Sequence, residues 1–248
     1  MSVAPASNDA PNETPDRHLR IPGTRNLRDV GGYPAGQGRR TRWRTLYRAD
    51  SLDRLPPESQ STLLDLGLRQ VIDLRWPHEL VDAPSVFGRS NRVRYLNVSL
   101  WEDNPPARGL IETYTRAFDT RAHVLAAIVR SLVEPDGLPA VIGCAAGVDR
   151  TGVSIALLLS AVGVPSDVVA ADYGLSVDTY ASIESAPELS DDWRAASVNL
   201  DCLPEYMLEA LDHLERRHGG ARALLLREGL SKAQLDELTE LLTERVAA

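Results

Sequence analysis

Five residues separate Cys144 from Arg150 in the stretch GCAAGVDRTG, which covers residues 143–152. A run of β-branched residues precedes the cysteine and an apolar helical pattern follows the arginine, so a short loop of small residues joins a strand to a helix. Backbone N–H groups in such a loop can face inward as a cup for an anion, and the helix N-terminus adds its positive end. The spacing therefore predicts an oxyanion site with a thiol at its base and a guanidinium on its rim.

This arrangement is typical of nucleophilic phosphoryl transfer. Helix N-termini and neighbouring cations favour the thiolate, which is the nucleophilic form of cysteine. A thiolate beneath a bound phosphate can attack phosphorus in line, and water then hydrolyses the phospho-cysteine. We expect Cys144 to be the nucleophile and Arg150 to hold two phosphate oxygens with its planar fork. A structural cysteine is the alternative, but the coincident Gly147, Asp149 and Thr151 favour the catalytic interpretation.

Two carboxylates are candidates for the general acid: Asp149 in the loop, and Asp73 at the end of the apolar strand 70–74. Charged residues at the carboxyl end of a strand lie where open α/β sheets bind ligands. The alternatives are that Asp149 only accepts backbone hydrogen bonds, and that Asp73 forms a salt bridge with Arg75. The sequence does not separate the two candidates. Phosphate contacts are expected from Ala145, Ala146, Gly147, Val148, Asp149, Arg150 and Thr151.

The loop resembles that of the cysteine-dependent phosphatases in its pattern C-x-x-G-x-D-R-T-G, and Asp before Arg is similar to the bacterial tyrosine/serine phosphatase family. Residues 26–33, which read NLRDVGGY, look like the N-terminal element of that family, and residues 46–52 and 71–75 also fit. The resemblance covers about residues 21–245. It implies a cysteine-phosphatase-like α/β fold and a protein tyrosine, or dual tyrosine/serine, phosphatase that needs no metal or other cofactor.

Two positions depart from the family pattern. Gly143 stands where cysteine phosphatases usually have His, and Val148 stands where this bacterial family usually has Lys. Loss of a cation from the cup weakens the attraction for polyanionic substrates, while the nucleophile and the arginine are kept. Three alternatives therefore stay open: a phosphatase of a small metabolite such as a nucleoside or sugar phosphate, a catalytically weak phosphate-binding module, and sulfur transfer or arsenate reduction in a similar cup.

Composition limits the classes of partner. The chain has 248 residues, of which 43% are hydrophobic and 25% charged, and its net charge is -8. This charge argues against nucleic-acid binding and against an anionic membrane surface, and the apolar run 153–164 is too short to span a bilayer. The two cysteines imply no disulfide framework, and a thiolate nucleophile favours the reducing cytoplasm. Histidine and cysteine do not occur in metal-ligand spacing, so no metal is expected. The oligomeric state is left open.

The hydrophobic pattern predicts one domain over residues 21–248, preceded by a disordered tail over residues 1–20. We expect a central, mostly parallel sheet flanked by helices, with lid-like insertions around residues 101–117 and 183–202. The basic cluster 39–44 is interpreted as a solvated face. Predicted strands cover 43–48, 70–74, 92–98 and 138–142, and predicted helices cover 56–66, 110–117, 123–133, 151–161, 166–180, 204–217 and 231–245.

Overall fold

The computed structural model describes residues 16–101, 109–184 and 202–246. Most of the predicted tail, residues 102–108 of the first predicted lid and residues 185–201 of the second lie outside these ranges. Of the tail, His18 forms a β-bridge with Arg28, and the Arg17 guanidinium lies 4.1 Å from the centre of the Tyr33 ring. Part of the predicted tail, from Arg17 onward, therefore contacts the domain.

Eight strands occur in the described residues. They are β1 (Arg28–Asp29), β2 (Pro34–Ala35), β3 (Arg39–Thr41), β4 (Leu46–Ala49), β5 (Gln70–Asp73), β6 (Arg94–Asn97), β7 (Ala140–Gly143) and β8 (Thr243–Arg245). Five of them form the central sheet in the order β1-β4-β7-β5-β6. Strands β4, β7, β5 and β6 are parallel, and β1 is antiparallel to β4. The predicted mostly parallel sheet is confirmed.

The helices of the described residues cover both faces of this sheet. They are α1 (Pro57–Asp65), α2 (Pro77–Asp82), α3 (Leu110–Thr120), α4 (Ala122–Val133), α5 (Asp149–Ala161), α6 (Ser166–Glu184), α7 (Pro204–His218), α8 (Gly220–Arg227) and α9 (Lys232–Leu242). Helix α5 is buried along nearly its whole length because α3, α4, α6, α7 and α8 surround it. This explains why its sequence is apolar on every side.

Alternate residues of the central strands face two separate cores. Leu46, Ile72 and Ile142 belong to the larger core, which contains α5 and its neighbours. Val71 and Val141 point the other way, into a smaller core that includes Leu63 of α1. Because both faces are covered, these short strands read as continuous apolar runs, as parallel strands usually do.

The register of the parallel strands fixes the position of the candidate site. Gly143 is paired with Ala49 of β4 on one side and with Asp73 of β5 on the other. The carboxyl ends of β4, β7 and β5 are therefore level with one another. Cys144, the next residue after β7, emerges between them at the edge where open α/β sheets bind ligands.

A second, antiparallel sheet in the order β2-β3-β8 was not predicted from the sequence. The terminal helix, expected to reach Arg245, ends at Leu242 because the chain then pairs with β3. Arg39 and Arg40 of the basic cluster form salt bridges with Glu240 at 2.8 Å and Glu244 at 2.7 Å. The basic cluster therefore joins the two ends of the domain. Helices α2 and α8 were also not predicted from the sequence.

No helix within the described ranges combines the length and the apolar character that crossing a bilayer requires.

Candidate active site

Cys144 lies at the bottom of the loop between β7 and α5, with 3% of its surface exposed. Its sulfur accepts a hydrogen bond from the backbone N–H of Gly147 at 3.2 Å. Gly147 has φ +70°, and a Cβ at this position would lie 2.5 Å from the carbonyl oxygen of Ala49. Only glycine therefore permits both the turn and the close approach to β4.

Buried side chains hold the carbonyl groups of the loop outward. Asn26 donates from its amide to the carbonyl oxygens of Ala146 at 3.1 Å and Gly147 at 3.2 Å, and Arg48 donates to the latter at 2.8 Å. In a trans peptide the N–H of the next residue points away from the carbonyl oxygen. The N–H groups of Gly147 and Val148 are therefore directed toward the inside of the loop, as the predicted anion cup requires.

Asp172 of α6 lies at the centre of the buried charges that support the loop. Its carboxylate accepts hydrogen bonds from Arg48 at 2.6 Å, Arg28 at 3.3 Å and the hydroxyl of Tyr33 at 2.8 Å. Burial on its own raises the pKa of Asp172, but Arg28 and Arg48 hold that pKa well below its ordinary value. Asp172 therefore stays ionised and fixes the two arginines.

These contacts explain the N-terminal motif. Arg28 donates to the side-chain oxygen of Asn26 as well as to Asp172, so it orients the amide that holds the loop. Asp29 accepts from the backbone N–H groups of Gly31 at 2.8 Å and Arg44 at 2.7 Å.

Arg150 lies in the first turn of α5, and Glu79 of α2 fixes its guanidinium. The two nitrogens Nη1 and Nη2 donate to the Glu79 carboxylate at 2.6 and 3.0 Å, and the guanidinium lies 4.5 Å from the centre of the Trp76 ring. Burial lowers the pKa of Arg150, but Cys144, Glu79 and Asp149 together raise it above the ordinary value. The Arg150 cation is therefore permanent and lies near the sulfur.

Sequence reasoning missed Glu79 because it missed helix α2. The signal was present, since Pro77 stands at the first helical position and Glu79 two residues later. There Glu79 accepts from the backbone N–H of Trp76 at 2.7 Å, which is half of a capping box. A helix of six residues gives too short a hydrophobic pattern to be recognised by periodicity.

Asp149 is half-buried and is hydrogen-bonded by the hydroxyl of Tyr114 from α3. Burial raises the pKa of Asp149 above its ordinary value, although Tyr114 and Arg150 act in the opposite direction. The hydroxyl oxygens of Tyr114 and Tyr173 are 2.6 Å apart. Tyr114 was not singled out in the sequence, because an aromatic residue on an amphipathic helix is usually a core residue.

Asp73 lies beside the loop, and both of its carboxylate oxygens are engaged. Arg75 donates to it at 2.8 Å from Nη2 and at 3.0 Å from Nε, and the hydroxyl of Tyr95 donates at 2.9 Å. Asp73 and Cys144 line one small cavity together with Asp50. The structure thus brings Asp73 close to Cys144, with the Asp73 carboxylate bound to Arg75 and Tyr95.

The residues that depart from the family pattern are tightly enclosed. A Cβ at Gly143 would lie 3.0 Å from the carbonyl oxygen of Asp50 and 3.2 Å from that of Ala49, so a side chain there requires the backbone at the end of β4 to move slightly. The Val148 side chain is fully buried in the larger core. Thr151 is also fully buried, and its hydroxyl has no hydrogen-bond partner among the described residues.

One group of metal-type ligands occurs in the described parts of the chain: Asp119 on α3 with His213 and His218 on α7. Nε2 of His213 and of His218 lie 2.9 and 2.7 Å from the same Asp119 oxygen. Arg227 is 2.8 Å from Nδ1 of His218 and can only donate, so a neutral His218 carries its proton on Nε2. Nε2 is the atom that a metal would need, and the cluster is therefore a hydrogen-bonded contact between α3 and α7.

The family model of the tyrosine phosphatase family matches residues 19–244. The chain belongs to the tyrosine phosphatase family. It is similar to the triple specificity protein phosphatase PtpB of Mycobacterium tuberculosis, with 26% identity over 88% of this chain and 96% of that protein. It is also similar to a tyrosine-protein phosphatase of Nostoc commune, with 25% identity over 77% of this chain and 71% of that protein. The predicted family and the predicted phosphatase activity are confirmed.

We predict that Gly147→Ala weakens the binding of tungstate, an unreactive phosphate analogue, by at least tenfold. The new Cβ would lie 2.5 Å from the carbonyl oxygen of Ala49, so the loop must move and its N–H groups lose their common direction. Tungstate affinity is measured by calorimetry, together with the melting temperature of each variant.

Gly38→Ala is the matched control, because Gly38 has φ +69° and no atom lies within 4 Å of its ideal Cβ position. It carries the same backbone penalty of roughly 1 kcal/mol without a clash. Equal losses of tungstate affinity in the two variants would contradict the role assigned to the contact between Gly147 and Ala49.

Proposed function

We propose that this phosphatase hydrolyses phosphotyrosine, and phosphoserine or phosphothreonine, on proteins through a phospho-Cys144 intermediate and without a metal ion. The observation that carries the proposal is the cup itself, with Cys144 below the outward-held carbonyl groups and Arg150 on its rim. Phosphoprotein substrates are supported by the relatives, which are named as tyrosine and triple specificity protein phosphatases. Because the nucleophile is a thiolate, we place the activity in the reducing cytoplasm.

In the first step the Cys144 thiolate attacks phosphorus and the bond between phosphorus and the leaving oxygen breaks. The loop N–H groups and Arg150 bind the phosphoryl oxygens, where charge develops in the transition state. Glu79 uses one N–H from each terminal nitrogen of Arg150, so the remaining N–H groups of the guanidinium are available to the phosphate. Glu79 therefore orients the Arg150 guanidinium without occupying the N–H groups that would bind the phosphate.

Asp149 is our choice for the general acid. It lies next to Arg150, and burial raises its pKa, so the protonated form persists to higher pH than in an ordinary aspartic acid. Asp149 gives its proton to the leaving oxygen, takes a proton from the attacking water in the second step, and the break of the phosphorus–sulfur bond then returns the Cys144 thiolate. Asp73 has both oxygens bound by Arg75 and Tyr95, and we assign it the role of holding the end of β5.

We predict that Asp149→Asn lowers kcat by about 10²- to 10⁴-fold, the usual contribution of a general acid. In the unaltered enzyme kcat falls as the pH rises through the pKa of Asp149, because the proton needed by the leaving group is lost. The variant should lack this alkaline fall. The loss in kcat and the alkaline fall are both measured from the pH dependence of p-nitrophenyl phosphate and phenyl phosphate hydrolysis.

Asp73→Asn is the comparison, since it alters the other candidate carboxylate. We expect this variant to keep the alkaline fall of kcat, and to be less stable because Arg75 loses its charged partner. If Asp73→Asn abolished the alkaline fall while Asp149→Asn retained it, the two roles would have to be exchanged.

The substrate class is tested by a panel of phosphotyrosine, phosphoserine and phosphothreonine peptides against nucleoside and sugar phosphates. We expect the highest kcat/KM for phosphotyrosine peptides. The Cys144→Ser variant should hydrolyse none of the substrates. A preference of more than tenfold for small phosphates would overturn the protein-phosphatase assignment. Binding of phosphate without turnover by the unaltered protein would favour a phosphate-binding module.

A further inference from the structure

A line of buried hydroxyl groups leads to the carboxylate of Asp149. The Tyr114 hydroxyl is hydrogen-bonded to Oδ1 of Asp149, and the Tyr173 hydroxyl lies 2.6 Å from that of Tyr114. Cys202, just before α7, is also close to Asp149, and burial together with the charge of Asp149 raises the pKa of its thiol. Tyr114, Tyr173 and Cys202 are each almost completely buried. Three elements other than the phosphate-binding loop therefore contribute to the surroundings of a single loop carboxylate.

The direction of the protons follows from the donors available. Burial and the nearby Asp149 raise the pKa of both tyrosines well above the ordinary value, so both hydroxyls keep their protons. A carboxylate accepts only, so Tyr114 gives its single proton to Oδ1 of Asp149, and its oxygen is left to accept the proton of Tyr173. The hydrogen bond from Tyr173 thus strengthens the one that Tyr114 donates to Asp149.

We propose that Tyr114, supported by Tyr173, is a positioning residue that confines the acidic proton of Asp149 to Oδ2 and stabilises the carboxylate once that proton has left. The proposal rests on the role of Asp149 given above. With Oδ1 occupied by the Tyr114 proton, the proton of the acid form has its place on Oδ2. It passes from Oδ2 to the leaving oxygen as the phosphorus–oxygen bond breaks, and the attacking water returns a proton to Oδ2. Tyr114 keeps its own proton throughout.

Other charged and titratable groups also act on Asp149, and the test must leave them unchanged. Arg150 on the same helix and Arg48 of β4 both favour the carboxylate form. Tyr114, Tyr173 and Cys202 also lie near Asp149, and burial together with Asp149 raises the pKa of each. All three therefore stay neutral, while Arg48 and Arg150 carry charge. Substitution of a tyrosine by phenylalanine removes one oxygen and none of these charges.

The test is the pH dependence of kcat for Tyr114→Phe and Tyr173→Phe with phenyl phosphate and p-nitrophenyl phosphate. Loss of the hydrogen bond to Oδ1 disfavours the carboxylate, so the alkaline fall of kcat should move to higher pH by about one unit in Tyr114→Phe. Tyr173→Phe should give a smaller shift in the same direction. We expect kcat to fall about tenfold for phenyl phosphate and less for p-nitrophenyl phosphate, whose leaving group needs less protonation, with KM unchanged.

Tyr47→Phe is the matched control, because its hydroxyl is buried and has no hydrogen-bond partner among the described residues. It should keep the pH profile of the unaltered enzyme. Melting temperatures identify the folded variants, and Tyr173→Phe carries the test if Tyr114→Phe does not fold. An unshifted alkaline fall in the folded variants overturns the proposal, as does an equal loss of kcat for both substrates.

Asp149→Asn separates this proposal from the proposed function. If Asp149→Asn loses the alkaline fall while the tyrosine variants leave it in place, only the role of the tyrosines is overturned. If Asp149→Asn retains the fall, Asp149 is not the general acid, and the role of Tyr114 is overturned with it.

Discussion

The buried ion pairs of Asp172 with Arg28 and Arg48 are the interaction on which the site depends. Removal of a charged side chain from water costs several kcal/mol. The attraction within an ion pair offsets this cost only when the other N–H donors of the pair are also hydrogen-bonded. Here the remaining donors are used on the loop, because Arg48 reaches the carbonyl oxygen of Gly147 and Arg28 orients Asn26. The buried ion pairs therefore fix the direction in which the peptide groups of the loop point. A cup whose N–H groups already face the phosphate needs no reorganisation when the substrate arrives.

Two adjacent side chains in the first turn of α5, Asp149 and Arg150, are held by two different helices. Glu79 of α2 fixes Arg150 through charge-assisted hydrogen bonds, and Tyr114 of α3 donates to Asp149. The surroundings favour the charged form of Arg150 but the neutral form of Asp149. Arg150 is held as a permanent cation, while burial raises the pKa of Asp149. In the proposed mechanism, this difference gives one short loop both a clamp for the phosphate and a proton for the leaving group.

The parts of the site that could be read from the sequence are local. Cys144 and Arg150 lie in one loop, and the apolar runs of the parallel strands identify the sheet that carries it. The supporting residues could not be found in this way, because their contacts join distant parts of the chain. Asn26 is 120 residues from Ala146, and Arg28 is 144 residues from Asp172. A terminal helical pattern likewise could not reveal that β8 pairs with β3 across almost the whole domain.

The most direct test of this account is the tungstate affinity of Asn26→Asp. The substitution keeps the size of the side chain but replaces the amide donor with an oxygen, which repels the carbonyl oxygens of Ala146 and Gly147 instead of holding them. For a variant that is folded by its melting profile, we expect tungstate binding at least tenfold weaker than in the unaltered protein. Unchanged tungstate binding in the folded variant would contradict the claim that the buried polar groups hold the cup open.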